Sequence, residues 1–229
     1  MAKMTAGPLA GVVSGKLGTV VFSRGRYGSY MRVRTMPTKV QTAATLEAQG
    51  RLSFLSKAWA NMDPEEKLAW GTWAQTNPVT DRLGASQVLH AAAAFNQINA
   101  RILKAGGTAV DLPPVAASPP GLLTASVVSD VSSNTVTIAF TASPLAANNC
   151  LAVWAAGIDA PGRENYKSFR KLIAVSAAAQ ATAYNVETFF EGRFGSKVAG
   201  QRIFLDLEVW SKVTGLKSST LSCSCIVTA

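Results

Sequence analysis

Residues 108–120 read TAVDLPPVAASPP, and the rhythm of the chain changes across them. Prolines 113, 114, 119 and 120 each lack a backbone N–H and fix φ, so they suit neither a helix interior nor a central strand. The stretch therefore predicts a stiff linker and a domain boundary. On its C-terminal side lie short β-rich runs at Ala125–Val128, Thr135–Phe140, Cys150–Ala155, Lys171–Val175, Gln201–Trp210 and Leu221–Val227. Turn signals separate them, among them Ser132-Ser133-Asn134, Asp159-Ala160-Pro161-Gly162 and Thr214-Gly215. Some six or seven strands in about 100 residues fit an immunoglobulin- or fibronectin-like sandwich.

On the N-terminal side the pattern is helical. A first helix around 43–61 places Leu52, Leu55 and Trp59 on one face. A second starts at Asp63-Pro64-Glu65-Glu66, where Asp63 suits the cap, Pro64 the first turn and Glu66 the capping box. Trp70 and Trp73 follow, and a small aromatic core between helices explains them better than a ligand cage. A third helix over about 85–105 carries Val88, Leu89, Ala92, Phe95, Ile98 and Ile102, with Gly106-Gly107 as its stop.

Earlier still, glycines 7, 11, 15 and 18 with Pro8 read as an extended, loop-like lead-in. Thr19–Ser23 and Ser29–Thr35 are strand-like runs flanking a glycine turn, which predicts a β-hairpin. In the second run Tyr30, Arg32 and Arg34 alternate with Met31, Val33 and Thr35, giving one basic face and one that can pack. A lone hairpin is marginal in water, so it must lie on something. The expected organisation is thus α+β: a basic arm and hairpin at 1–40, a helical segment at 41–107, the linker at 108–120 and the sandwich at 121–229.

Charge sharpens the picture of the arm. The net charge is +9, and only 15% of residues are charged, against about 25% in an average globular protein. Residues 1–40 hold seven bases and no acid, residues 41–112 six of each, and residues 113–229 nine bases and seven acids. A local positive field of this kind draws nucleic acid or an acidic protein surface. Arg24, Arg26, Arg32 and Arg34, with Tyr27 and Tyr30 among them, are the candidate contact residues. They could bind phosphates and stack on bases, or meet carboxylates on a neighbouring subunit. The alternating pattern favours the subunit contact, because it needs an ordered sheet.

Signs of chemistry are sparse. His90 is the single histidine, and no P-loop, G-x-S-x-G, H-E-x-x-H or G-x-G-x-x-G occurs. Cys150, Cys223 and Cys225 include no C-x-x-C, which argues against zinc and favours buried free thiols. Asp206 and Glu208 share a strand face and could hold a cation, though a partner's arginine is the commoner use. The expectation is a protein with no catalytic residues, no metal and no cofactor. The N-terminus lacks the apolar core of a signal peptide, and no apolar stretch is long enough for a membrane span.

The run GTVVFSRGRYGSYMRVR (18–34), then residues 41–49, then LSKAWANMDPEEKLAW (55–70) resemble a family of tailed-phage and prophage structural proteins. FNQINARILKAGG (95–107) and RFGSKVAGQRIFLDLEV (193–209) extend the resemblance over most of the chain. It implies a virion component, assembled in the host cytoplasm, whose partners are copies of itself, other virion proteins and, through the arm, packaged DNA. A minor or stabilising head protein is the first expectation. A tail or neck protein, a nucleic-acid-binding accessory protein and a self-assembling filament subunit are the alternatives.

Overall fold

In the computed structural model, which describes residues 2–3, 14–25, 28–35, 42–80, 85–141, 145–165 and 170–229, the β-branched runs of the arm pair as expected. The strands are β1 (Ala2–Lys3), β2 (Gly15–Leu17), β3 (Val20–Gly25) and β4 (Gly28–Val33), in one antiparallel sheet of order β1-β4-β3-β2. Part of the glycine-rich lead-in is therefore strand rather than loop. Gly18, at φ +58°, turns β2 into β3, a conformation that favours glycine. The Arg34 amide donates to the Thr19 carbonyl at 2.7 Å and closes the sheet at that end. The chain divides into two units, Met1–Leu46, which holds this sheet, and Glu47–Ala229.

The helices are α1 (Ala43–Asn61), α2 (Pro64–Thr76) and α3 (Ala91–Lys104), with a small hairpin, β5 (Val79–Thr80) and β6 (Ser86–Gln87), ahead of α3. At the start of α2 the expected capping box forms, with the Asp63 amide donating to Glu66 Oε2 at 3.2 Å. The third helix begins six residues later than the sequence suggested, because Ser86 and Gln87 pair in the hairpin. His90 is its N-cap, and its Nδ1 accepts from the Ala92 amide at 3.3 Å. Leu55, Trp70, Ala74, Phe95, Ile98 and Ile102 form the apolar cluster of this region, with Trp70 edge-on to Phe95.

Next come β7 (Ala125–Asp130), β8 (Thr135–Phe140), β9 (Asn149–Asp159), β10 (Lys171–Val175), β11 (Tyr184–Asn185), α4 (Glu187–Phe194), β12 (Arg202–Ser211) and β13 (Leu221–Ile226). They make two antiparallel sheets, β10-β9-β12-β13 and β11-β8-β7. The chain crosses between sheets after β8, β10 and β11, which is the connectivity of a fibronectin-like sandwich. The molecule is α+β with a C-terminal β-sandwich. Ile203, Leu205, Leu207 and Val209 of β12 share its core with Leu151 and Val153 beside them on β9 and with Val136 and Ile138 of the other sheet. The two-residue β11 and the eight-residue α4 carried no sequence signal strong enough to be expected. A buried ion pair, Lys197 with Glu187, ties α4 to the segment before β12.

The proline-rich stretch expected as a linker at 108–120 lies inside the second unit, and no division falls there. Its backbone is held by side chains of the helices. Asn99 donates from Nδ2 to the Val110 carbonyl at 3.0 Å and accepts from the Val110 amide at 2.7 Å. The Trp70 indole donates to the Asp111 carbonyl at 2.6 Å. Helix and sandwich also meet directly: Arg101 donates to the Gly215 carbonyl at 3.3 Å. A β-carbon at Gly215, which has φ +65°, would sit 2.6 Å from the Ile98 carbonyl oxygen. Prolines stiffen this segment, but buried hydrogen bonds fix where it runs.

Candidate interaction surface

The arm's chemistry follows from its register. Residues directly opposed on antiparallel strands share a face. Lys16, Val21 and Arg32 form one row across β2, β3 and β4, and Ser23 with Tyr30 forms the next. The opposite face carries the rows Leu17–Val20–Val33 and Phe22–Met31, then Arg24 beside Ser29. One face is basic with a tyrosine, and the other is apolar with one arginine at its end.

This arrangement splits the predicted contact set. Arg32 and Tyr30 share the basic face, joined by Lys16, which the sequence reading had not singled out. Arg24 lies on the apolar side, because pairing Gly25 with Gly28 puts even-numbered residues of β3 opposite odd-numbered residues of β4. Arg34 follows β4, with only its backbone bond to Thr19 described. Arg26 and Tyr27 lie outside the described residues.

None of residues 14–24 and 29–35 is buried. Leu17 is 74% exposed and Val33 70%, while Val20, Phe22 and Met31 are half-buried. The Met1–Leu46 unit contains no acid, so its basic face has no counter-charge of its own. A sheet with a partly exposed apolar face and an unneutralised basic face can do two things. It can pack by area on one side and attract anions on the other.

The other polar candidates are used internally. Asp206 pairs with Arg170 across the outer face of the β12 sheet. A cleft of about 260 Å³ opens beside it, lined in part by Glu164, Phe204 and Ser222. Glu208 accepts from Lys217 Nζ at 2.9 Å, from the Trp210 indole at 3.0 Å and from the Thr220 hydroxyl at 2.9 Å. Burial alone would raise the Glu208 carboxyl, but Lys217 and these hydrogen bonds outweigh it and hold it below the usual carboxylate range. Burial lowers Arg101, and the charge of Glu208 partly offsets that.

All three cysteines are free. Burial pushes the Cys223 thiol up to about 12, with Asp206 adding to it, and the Cys225 thiol up to about 11. These are packing residues rather than nucleophiles. Among the described residues no group of three or more His, Cys, Asp or Glu side chains could hold a metal ion. No described helix is long and apolar enough to cross a membrane.

No protein-family model matches the chain, and no curated protein matches it. A solved structure described as a Fn3-like protein from Clostridium thermocellum is similar over 51% of this chain and 97% of that one. The identity is 17% and the TM-score 0.29, so the likeness adds nothing to the topology read from the strand pairings.

Proposed function

We propose that this chain is a non-enzymatic structural subunit of a tailed-phage particle, a minor or stabilising head component that acts through contacts made by its N-terminal sheet. One observation carries the reading of a contact arm. The sheet has an apolar face and a basic face, and none of its residues 14–24 and 29–35 is buried, which leaves both faces open to contact. The resemblance of residues 18–34 and 55–70 to tailed-phage structural proteins supports the choice of particle. The Glu47–Ala229 unit, with two apolar clusters, serves as the rigid body that carries the arm.

Arg24 and Arg32 lie on opposite faces of the sheet, which favours a protein contact over a DNA tail. Lys16, Tyr30 and Arg32 still suit an acidic patch on a neighbouring protein. Deletion of residues 1–36 is expected to abolish incorporation into particles while the sandwich stays folded. Undiminished incorporation of the truncated chain would refute the proposal. DNA affinity that falls steeply with salt and disappears with the same deletion would instead favour the nucleic-acid-binding alternative.

A further inference from the structure

Lys197 lies in the irregular segment between α4 and β12, with Ser196 and Val198 exposed on either side, yet its own side chain is 1% exposed. A lysine on so open a stretch can ordinarily carry its ammonium into water on a flexible stem. This one points inward. Its Nζ sits 2.5 Å from Glu187 Oε1, whose side chain is 6% exposed, and donates to Asn134 Oδ1 at 3.3 Å. Beyond that ion pair neither carboxylate oxygen of Glu187 has a hydrogen-bond partner. The desolvation of two buried charges largely cancels their attraction, so stability alone explains the arrangement poorly.

Three elements hold the three groups. Asn134 ends the turn from β7 to β8 with φ at +47°. Two residues on, the Val136 carbonyl accepts from the Val186 amide at 2.9 Å, which sets Glu187, the first residue of α4, beside the start of β8. The Glu187 amide donates in turn to Asn185 Oδ1 at 2.9 Å, and Phe190 anchors the same helix in the sandwich core. An amine, a carboxamide and a carboxylate therefore meet at fixed positions. Chemically they are a nucleophile, an acyl group with a nitrogen that can leave, and a proton carrier.

We infer that Lys197 and Asn134 join in an intramolecular isopeptide bond, with Glu187 carrying the protons. Glu187 first takes a proton from the Lys197 ammonium. The freed lone pair of Nζ then bonds to Cγ of Asn134. Glu187 hands its proton to Nδ2 and takes a second one from Nζ, the Cγ–Nδ2 bond breaks, and ammonia leaves. The products are an amide, ammonia and a neutral Glu187 carboxyl, so two buried charges are replaced by none. Asn134 is exposed, which gives the ammonia a way out. The new bond ties the β7–β8 turn to the segment leading into β12, 63 residues along the chain, and so restricts the unfolded state as any cross-link of that span does.

Intact-mass measurement of the full chain, denatured after incubation in its folded state, tests the inference. The expected mass is below that of the sequence by one ammonia, ~17 Da. A protease digest should give one branched peptide that joins the Asn134 and Lys197 segments. Asn134→Gly removes the carboxamide, keeps a residue suited to positive φ, and should show the full mass of its sequence. Glu187→Gln should slow the cross-linking at least about a hundredfold.

A folded wild-type chain that keeps its full mass would overturn the inference. So would a loss of ammonia that persists in Lys197→Met, since asparagine would then be cyclising on its own backbone. Cross-linking that proceeds at an unchanged rate in Glu187→Gln would remove Glu187 from the reaction. None of these outcomes bears on the reading of the arm, which the 1–36 deletion tests separately.

Discussion

The two units of this chain solve the problem of burial in opposite ways. Glu47–Ala229 closes on itself: Trp70, Phe95, Phe190, Ile138 and Leu205 are at most 1% exposed, in one apolar cluster under the helices and one between the sheets. Met1–Leu46 forms a sheet of comparable strand number, yet none of its residues 14–24 and 29–35 is buried. Hydrogen bonding alone does not distinguish them, since both are paired antiparallel ladders. The difference lies in what covers the side chains. Area removed from water stabilises at roughly 25 cal/mol per Å², so burial contributes far more to the second unit than to the described side chains of the first.

The comparison predicts where mutations will hurt. The largest effect is expected from Trp70→Ala. Its ring fills the helical cluster against Phe95, and its indole satisfies the Asp111 carbonyl, so the change leaves both a cavity and an orphaned acceptor. A loss of about 4 kcal/mol follows. Because helices and sandwich belong to one unit, calorimetry should show a single transition moved to lower temperature. Two transitions, of which only one moves, would mean that the helices and sandwich melt separately.

Asn99→Ala should come next. It strips Val110 of both backbone partners at a buried site and is expected to cost about 2 kcal/mol in chemical denaturation. A cost near zero would return the 108–120 stretch to the role of an independent linker.

What could be read in the sequence was local. The Asp63-Pro64-Glu65-Glu66 start of α2, the hairpin around the glycine turn and most sandwich strands are set by neighbours within a few residues. Contacts across long separations left no local trace. Trp70 reaches Asp111 and Arg101 reaches Gly215, so proline content alone suggested a boundary that these bonds close. Val88 and Leu89 continued the helical stripe of α3 although they precede its cap at His90.

The arm shows the same limit. Alternation placed Tyr30 and Arg32 together within one strand, but which residues of β3 join them depends on register. The β3–β4 pairing puts Arg24 off the basic face, and the β2–β3 pairing adds Lys16 to it. Similarly, Asp206 and Glu208 looked open on their strand face until Arg170 and Lys217 came into place beside them.

The smallest predicted effect separates the units by charge. The first unit has no acid, so any loss of stability on acidification belongs to the second. Glu208 is held below its ordinary value in the folded state by Lys217, Trp210 and Thr220, against the opposing pull of burial. A carboxyl depressed by folding contributes stability that is complete above its unfolded value, about 4.3, and is lost as pH falls through the lower folded value. Lys217 is 44% exposed, so solvent screens the pair and its contribution is about 1 kcal/mol at neutral pH. Glu208→Gln should cost that much near neutrality, and the gap to wild type should narrow as pH falls below about 4. Thermal unfolding of both chains across that range measures it. A gap that stays constant would mean that Glu208 acts through shape rather than charge.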